Sequence, residues 1–270
     1  MRSRFDRARV GTYNRRSIPA LGGQTNAMRL LVSVRSAEEA EAAVDGGADV
    51  IDAKDPEAGA LGAVRPMELS EIRAAVPANR LVTAALGDAV GEVAIRCLAQ
   101  EYAARGVGLV KVGFAGIDDV DLVERLIASC VRGCDAADSD AGVVAVAYAD
   151  VPQGRGIRAL SLLEIAARVG ARGVLIDTAD KRGVGLRALW SSEELAMWIA
   201  CAHAHGLLAA VAGRLVGDDL AVVSDAGADV AGVRGAACAG GRNGCVSAEL
   251  VRHLVERIRD LGCSLGATRL

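Results

Sequence analysis

Eight short apolar runs, each followed by a longer stretch carrying helix signals, constrain this chain more than any other feature. They fall at 30–34, 50–54, 81–86, 109–113, 143–150, 174–178, 207–213 and 230–234. The segments between them, such as SAEEAEAAVDGG and SSEELAMWIACAHAHG, begin with Ser followed by acids and end near Gly. A Ser oxygen caps the first free amides of a helix and Gly tolerates its left-handed exit, so these are start and stop signals. Strand and helix alternating eight times over about 240 residues predict an α/β fold of the closed (β/α)8, or TIM-barrel, type in a single domain. An open doubly wound sheet is the alternative, but no Gly-rich dinucleotide loop follows the first strand.

An internal echo supports ring closure. DGGADVIDAK, ARGVGLVKVG, RVGARGVLID and DAGADVAGVRG recur at spacings of about 57–64 residues, each at a helix end leading into strands two, four, six and eight. The period equals two strand–helix units. Composition fits: 52% of residues are hydrophobic but only 3% aromatic, so Ala, Val, Leu and Ile fill the core, as in parallel sheets covered on both faces. A net charge of −3 gives no electrostatic reason to expect nucleic acid or an anionic membrane as partner, and no window approaches 18 uncharged apolar residues. Residues 1–27 hold six Arg, one acid and no apolar periodicity. We expect them to form a disordered extension, with Met28 opening a domain that runs to about residue 265. The seven cysteines are scattered and the three histidines poorly spaced for shared ligation, so we expect reduced thiols in a cytoplasmic protein and no metal site.

The basic residues are unequally divided. Only three of the 31 are lysines: Lys54, Lys111 and Lys181. Arg can stand in for Lys on a solvated surface, but never where the side chain must lose its proton. The three lysines lie at or just beyond the ends of predicted strands two, four and six, where barrel enzymes keep their chemistry. Alternation along each strand places Asp52 and Lys54 on the inner face of strand two, Lys111 on that of strand four, Asp177 on that of strand six and Arg234 on that of strand eight. These charges are predicted to converge at the upper end of one cavity. A cluster of charges merely closing the barrel mouth is the alternative, but burying several charges is costly unless they do something.

A nucleophilic lysine must be neutral, which near pH 7 requires a shift of about three pKa units from its usual value of about 10.4, or roughly 4 kcal/mol. Desolvation and neighbouring cations push that way, and Lys111 and Arg234 are the cations expected beside Lys54. Asp52 would oppose the shift unless it relays a proton. The loops after strands seven and eight, AGRLVGDD and RGAACAGGRNG, are rich in Gly and Arg. Barrels often hold a phosphate there on backbone N–H groups, which makes Gly213, Arg214, Arg234, Gly235, Gly240 and Gly241 candidate phosphate ligands.

From Met28 to about residue 260 the chain resembles the (5-formylfuran-3-yl)methyl phosphate synthases. The stretches that carry the likeness are LLVSVRSAEEA, GGADVIDAKDPEAGALGA, VKVG, VAYAD, LIDTADKRG and DVAGVRGAACAGGRNG, in that order. The resemblance implies a (β/α)8 barrel that condenses two molecules of glyceraldehyde 3-phosphate into a furan aldehyde phosphate, releasing phosphate and water. The product feeds the biosynthesis of methanofuran, or of its analogue in methylotrophic bacteria. By motif, the resemblance puts Lys54 at the Schiff-base position and Lys111 at the proton acceptor, with Asp52, Asp177 and Lys181 in support. It implies no metal or organic cofactor and small triose phosphates as partners. The 27-residue extension departs from the family pattern. A homo-oligomer is expected, although sequence does not fix its order. The competing readings are a Schiff-base sugar-phosphate aldolase on the same barrel and a phosphate-binding barrel without catalysis.

Overall fold

The computed structural model of the chain describes residues 28–152 and 155–267, with side chains placed as far as residue 261. The Arg-rich segment 1–27 lies outside the described residues. Eight parallel strands close into a barrel, each hydrogen-bonded to the next and the eighth to the first. They are β1 (Arg29–Val34), β2 (Val50–Ala53), β3 (Leu81–Asp88), β4 (Leu109–Gly113), β5 (Gly142–Tyr148), β6 (Gly173–Asp177), β7 (Leu208–Val211) and β8 (Val230–Val233).

The helices form where the caps predict them. Ser36 opens α1 (Ala37–Asp45) by accepting from the Glu39 amide, and Ser191 opens α7 (Ser192–Ala204) in a reciprocal capping box with Glu194. Between these run α2 (Pro66–Ala75), α3 (Glu92–Ala103), α4 (Val120–Asp135), α5 (Ala159–Arg168) and the single turn α6 (Leu186–Leu189); α8 (Asp219–Asp225) and α9 (Ala248–Ala267) complete the ring. No helix among the described residues is long and apolar enough to cross a membrane.

Period-two alternation divides the strand residues between two cores. Leu31, Val50, Leu109, Val144, Leu175, Ala210 and Val230 fill the barrel interior. Their neighbours Leu30, Val32, Ile51, Val110, Ala145, Ile176 and Val211 pack outward against the helices. The first layer below the upper rim is set by register: Ser33 pairs with Asp52, and Asp52 with Thr83, so three polar side chains from adjacent strands stand side by side.

The last two strands end earlier than the apolar runs suggest. Gly213, at φ +108°, turns the chain out of β7, and Arg234, at φ −133° and ψ −66°, starts a short 3-10 turn over Gly235–Ala237 after β8. The Gly-rich stretch that follows is a small hairpin, β9 (Cys238–Ala239) against β10 (Cys245–Val246), rather than an open loop.

Helices α3 and α4 meet at Gly133, where a β-carbon would lie 2.3 Å from the Arg96 carbonyl oxygen. A backbone atom cannot yield as a side chain does, so Gly133→Ala should destabilise the barrel by about 1–3 kcal/mol in urea unfolding, with turnover of the folded fraction unchanged.

Candidate active site

The upper end of the barrel encloses a cavity of ≈ 310 Å³, and the chemistry beneath it begins with Asp52. This carboxylate is fully buried, yet each oxygen is satisfied. Thr83 Oγ1 donates to Oδ1 at 2.6 Å; Ser33 Oγ at 2.9 Å and Lys111 Nζ at 2.6 Å donate to Oδ2. Burial pushes the Asp52 carboxyl up, but the Lys111 and Lys54 charges, with the hydrogen bonds from Lys111 and Thr83, outweigh it and hold the group below its usual range. The ion pair fixes Lys111, itself 5% exposed, in the cavity wall.

Lys54 follows β2, anchored by its amide to the Val34 carbonyl at 2.9 Å, and its side chain lines the cavity. Among the described residues, no side chain hydrogen-bonds or ion-pairs with its amine. Burial is the largest influence and lowers it; Asp177 raises it, Lys111 lowers it, Asp52 raises it and Lys181 lowers it, leaving the group at about 7. The amine is therefore partly neutral at physiological pH and free to react.

Across the barrel, Asp177 ends β6. Its Oδ1 accepts from Lys181 Nζ at 2.5 Å and from the Thr178 amide at 2.8 Å. Lys181 also reaches Thr178 Oγ1 at 3.4 Å. All three lysines thus line one cavity, two held by carboxylates and one without a partner.

Arg234 does not join that cluster as a cationic neighbour of Lys54. Its guanidinium is buried against Glu39, which it grips through both terminal nitrogens, one at 2.9 Å. It also donates to the carbonyls of Ser33 (3.0 Å), Arg242 (3.1 Å) and Gly244 (2.8 Å). Arg234 ties the β9–β10 hairpin and α1 to β1, and the cations acting on Lys54 are Lys111 and Lys181. The acids of 38–39 read in sequence as a first-turn helix signal; the α1 fold instead buries Glu39 as the counter-ion of a residue 195 positions away.

The other phosphate candidates divide. Gly213, Arg214, Gly235 and Gly241 line the cavity, whereas Gly240 lies at the hairpin turn outside its lining. Among the described residues, the amides of Gly213, Arg214, Leu215, Gly235 and Ala236 donate no hydrogen bond, and all five residues face the cavity. Such clustered free amides are a ready anion cradle. Arg242, another arginine of the loop after β8, also lines it, held by the carbonyls of Pro56 (3.4 Å) and Gly59 (3.1 Å). Among the described residues, no group of three or more His, Cys, Asp or Glu is placed to hold a metal ion.

The sequence profile of the 4-HFC-P synthase family matches residues 30–255, which takes in every strand of this barrel from Leu30 onward and every cavity residue. The chain belongs to this family. Among relatives, it is 41% identical over 235 residues to the (5-formylfuran-3-yl)methyl phosphate synthase of Methanopyrus kandleri, covering 85% of this chain and 98% of the relative. The enzyme of the same name from Methanocaldococcus jannaschii is 38% identical over 232 residues, covering 85% and 99%. Among solved structures, phosphoribosyl anthranilate isomerase from Thermus thermophilus superposes with a TM-score of 0.59 at 15% identity, over 87% of this chain and 100% of that one, a likeness of fold alone.

This 4-HFC-P synthase family member carries a measurable cost at Lys54. Its native pKa of about 7 lies below the unfolded value of about 10.4. Between those values the unfolded chain holds a proton that the native state does not, so stability rises with pH across that window; below about 7 the full cost of a buried charge is present. Lys54→Met should therefore stabilise the fold by about 2–4 kcal/mol at pH 6, and by much less at pH 10, in denaturant titrations.

Proposed function

We propose that the protein is a (5-formylfuran-3-yl)methyl phosphate synthase, condensing two molecules of glyceraldehyde 3-phosphate with loss of phosphate and water in the biosynthesis of methanofuran-type cofactors. One observation carries the reading: a buried lysine amine at about 7, without a partner, at the mouth of a barrel that belongs to the 4-HFC-P synthase family.

Lys54 attacks the carbonyl of one triose phosphate and expels water, giving an imine. Lys111 acts as acid and base at the adjacent carbon, and Asp52, 2.6 Å from its nitrogen, is placed to exchange a proton with it. The resulting enamine attacks the aldehyde of the second triose. Elimination of one phosphate, ring closure by a hydroxyl that displaces the Lys54 amine from the former carbonyl carbon, and loss of a second water give the furan and return Lys54 free. The iminium is the electron sink for these steps, so they call for no metal or organic cofactor. Lys181 assists the departing phosphate from its seat on Asp177. The free amides of 213–215 and 235–236, with the guanidinium groups of Arg214 and Arg242, hold a phosphate. Triose phosphates are cytoplasmic metabolites, and the free thiols at Cys97, Cys130, Cys134, Cys201, Cys238 and Cys245 suit that compartment.

Lys54→Arg keeps the charge but removes the deprotonable amine, so it should abolish furan formation followed by ultraviolet absorbance, by 10³-fold or more on the scale of a lost nucleophile, ~4 kcal/mol. In the unsubstituted enzyme kcat/KM should fall about tenfold per pH unit below about 7 as Lys54 takes up its proton. An aldolase on the same barrel would share both effects but make no furan.

A further inference from the structure

The loop that carries Lys181 is part-exposed over 179–185 and is bonded by a carboxylate outside the proposed chemistry. Asp150 lies two residues beyond β5 and is half-buried. Its Oδ1 accepts from the Ala179 amide at 2.7 Å and its Oδ2 from the Asp180 amide at 2.8 Å, so one carboxylate grips two consecutive amides. Asp180 in turn accepts from the Arg182 amide at 2.8 Å, closing the next turn. Lys181 stands between these two fixed points. The far end of the loop is held from the segment after β7, by Arg214 donating to the Gly183 carbonyl and by the Leu186 amide donating to the Gly213 carbonyl at 2.9 Å. Asp150 is the anchor at the near end.

We propose that Asp150 is a positioning residue for Lys181: its grip on the Ala179 and Asp180 amides sets the loop at the height where the Lys181 ammonium meets Asp177. The inference rests on the reading of Lys54 as a neutral nucleophile, because it reaches the chemistry through Lys54's surroundings. Four charged groups face Lys54: Asp52 from β2, Lys111 from β4, Asp177 from β6 and Lys181 from the loop. Asp177 also feels Tyr148 and Arg242. Releasing the loop removes a cation from beside Lys54 and leaves the Asp177 carboxylate without its closest counter-ion. Both changes favour protonated Lys54. A loop residue that served folding alone would leave that titration where it is.

The experiment measures Lys54 twice. Its reactivity toward an amine-reactive ester is followed against pH by peptide mass spectrometry, which needs no turnover, and furan formation is followed in parallel. In Asp150→Ala the Lys54 midpoint should rise by about half to one pH unit and kcat should fall about tenfold, a misplacement effect. Asp150→Asn, whose single amide oxygen can accept one of the two bonds, should lie between and serves if the alanine variant does not fold. Placed on a Lys181→Met background, either substitution should move the midpoint no further. A folded Asp150 variant with an unmoved midpoint, or a shift that persists without Lys181, overturns the inference. A midpoint near 10 in the unsubstituted protein overturns the neutral-lysine reading and the inference with it.

Discussion

Asp52 holds a charge in a place that water does not reach, and the rest of the site is arranged around that fact. An isolated buried carboxylate would cost several kcal/mol and would neutralise itself by taking a proton. Here three donors from three other strands prevent this: Ser33 of β1, Thr83 of β3 and Lys111 of β4. The two hydroxyls are register neighbours of Asp52, so the pairing of β2 with β1 and β3 delivers them without further adjustment. Lys111 is held in turn by the carboxylate it stabilises. Removing any member would leave a buried group unsatisfied, which is why the cluster behaves as one unit.

Lys54 shares the inner face of Asp52, two residues further along the chain, but is treated in the opposite way. Asp52 and Asp177 are both near enough to hold its charge, yet each is already engaged by another lysine. The two ion pairs therefore consume the carboxylates that would otherwise fix Lys54 as an ammonium, while the cations of those pairs repel it. Burial does the rest. Three lysines and two carboxylates thus leave one amine without a partner, and at Lys54, where the side chain sheds its proton near pH 7, an arginine could not serve.

The eightfold alternation made the barrel legible, and strand parity alone placed Asp52, Lys54, Lys111 and Asp177 on the inner face, where the structure has them. What parity cannot supply is the partner of each charge. Arg234 faces inward as expected, but its pairing with Glu39 depends on β8 lying beside β1, a neighbourhood created only by closure. Ser33 and Thr83 escaped notice because a lone hydroxyl in an apolar strand carries no pattern; only register identifies them. The ends of β7 and β8 were over-extended because apolar content continues past Val211, whereas the left-handed Gly213 and the turn at Arg234 end the strands. Arg242 and Asp150 lie in loops, where local sequence says little about which carbonyl or amide will be within reach.

Chemical trapping reads the Lys54 imine itself. The protein is incubated with glyceraldehyde 3-phosphate and borohydride, and its intact mass and modified peptide are then determined. A neutral, nucleophilic Lys54 gives a reduced triose adduct on Lys54, none on Lys111 or Lys181, and none without substrate. An adduct confined to another lysine, or no adduct from a protein that binds the substrate, would contradict that role.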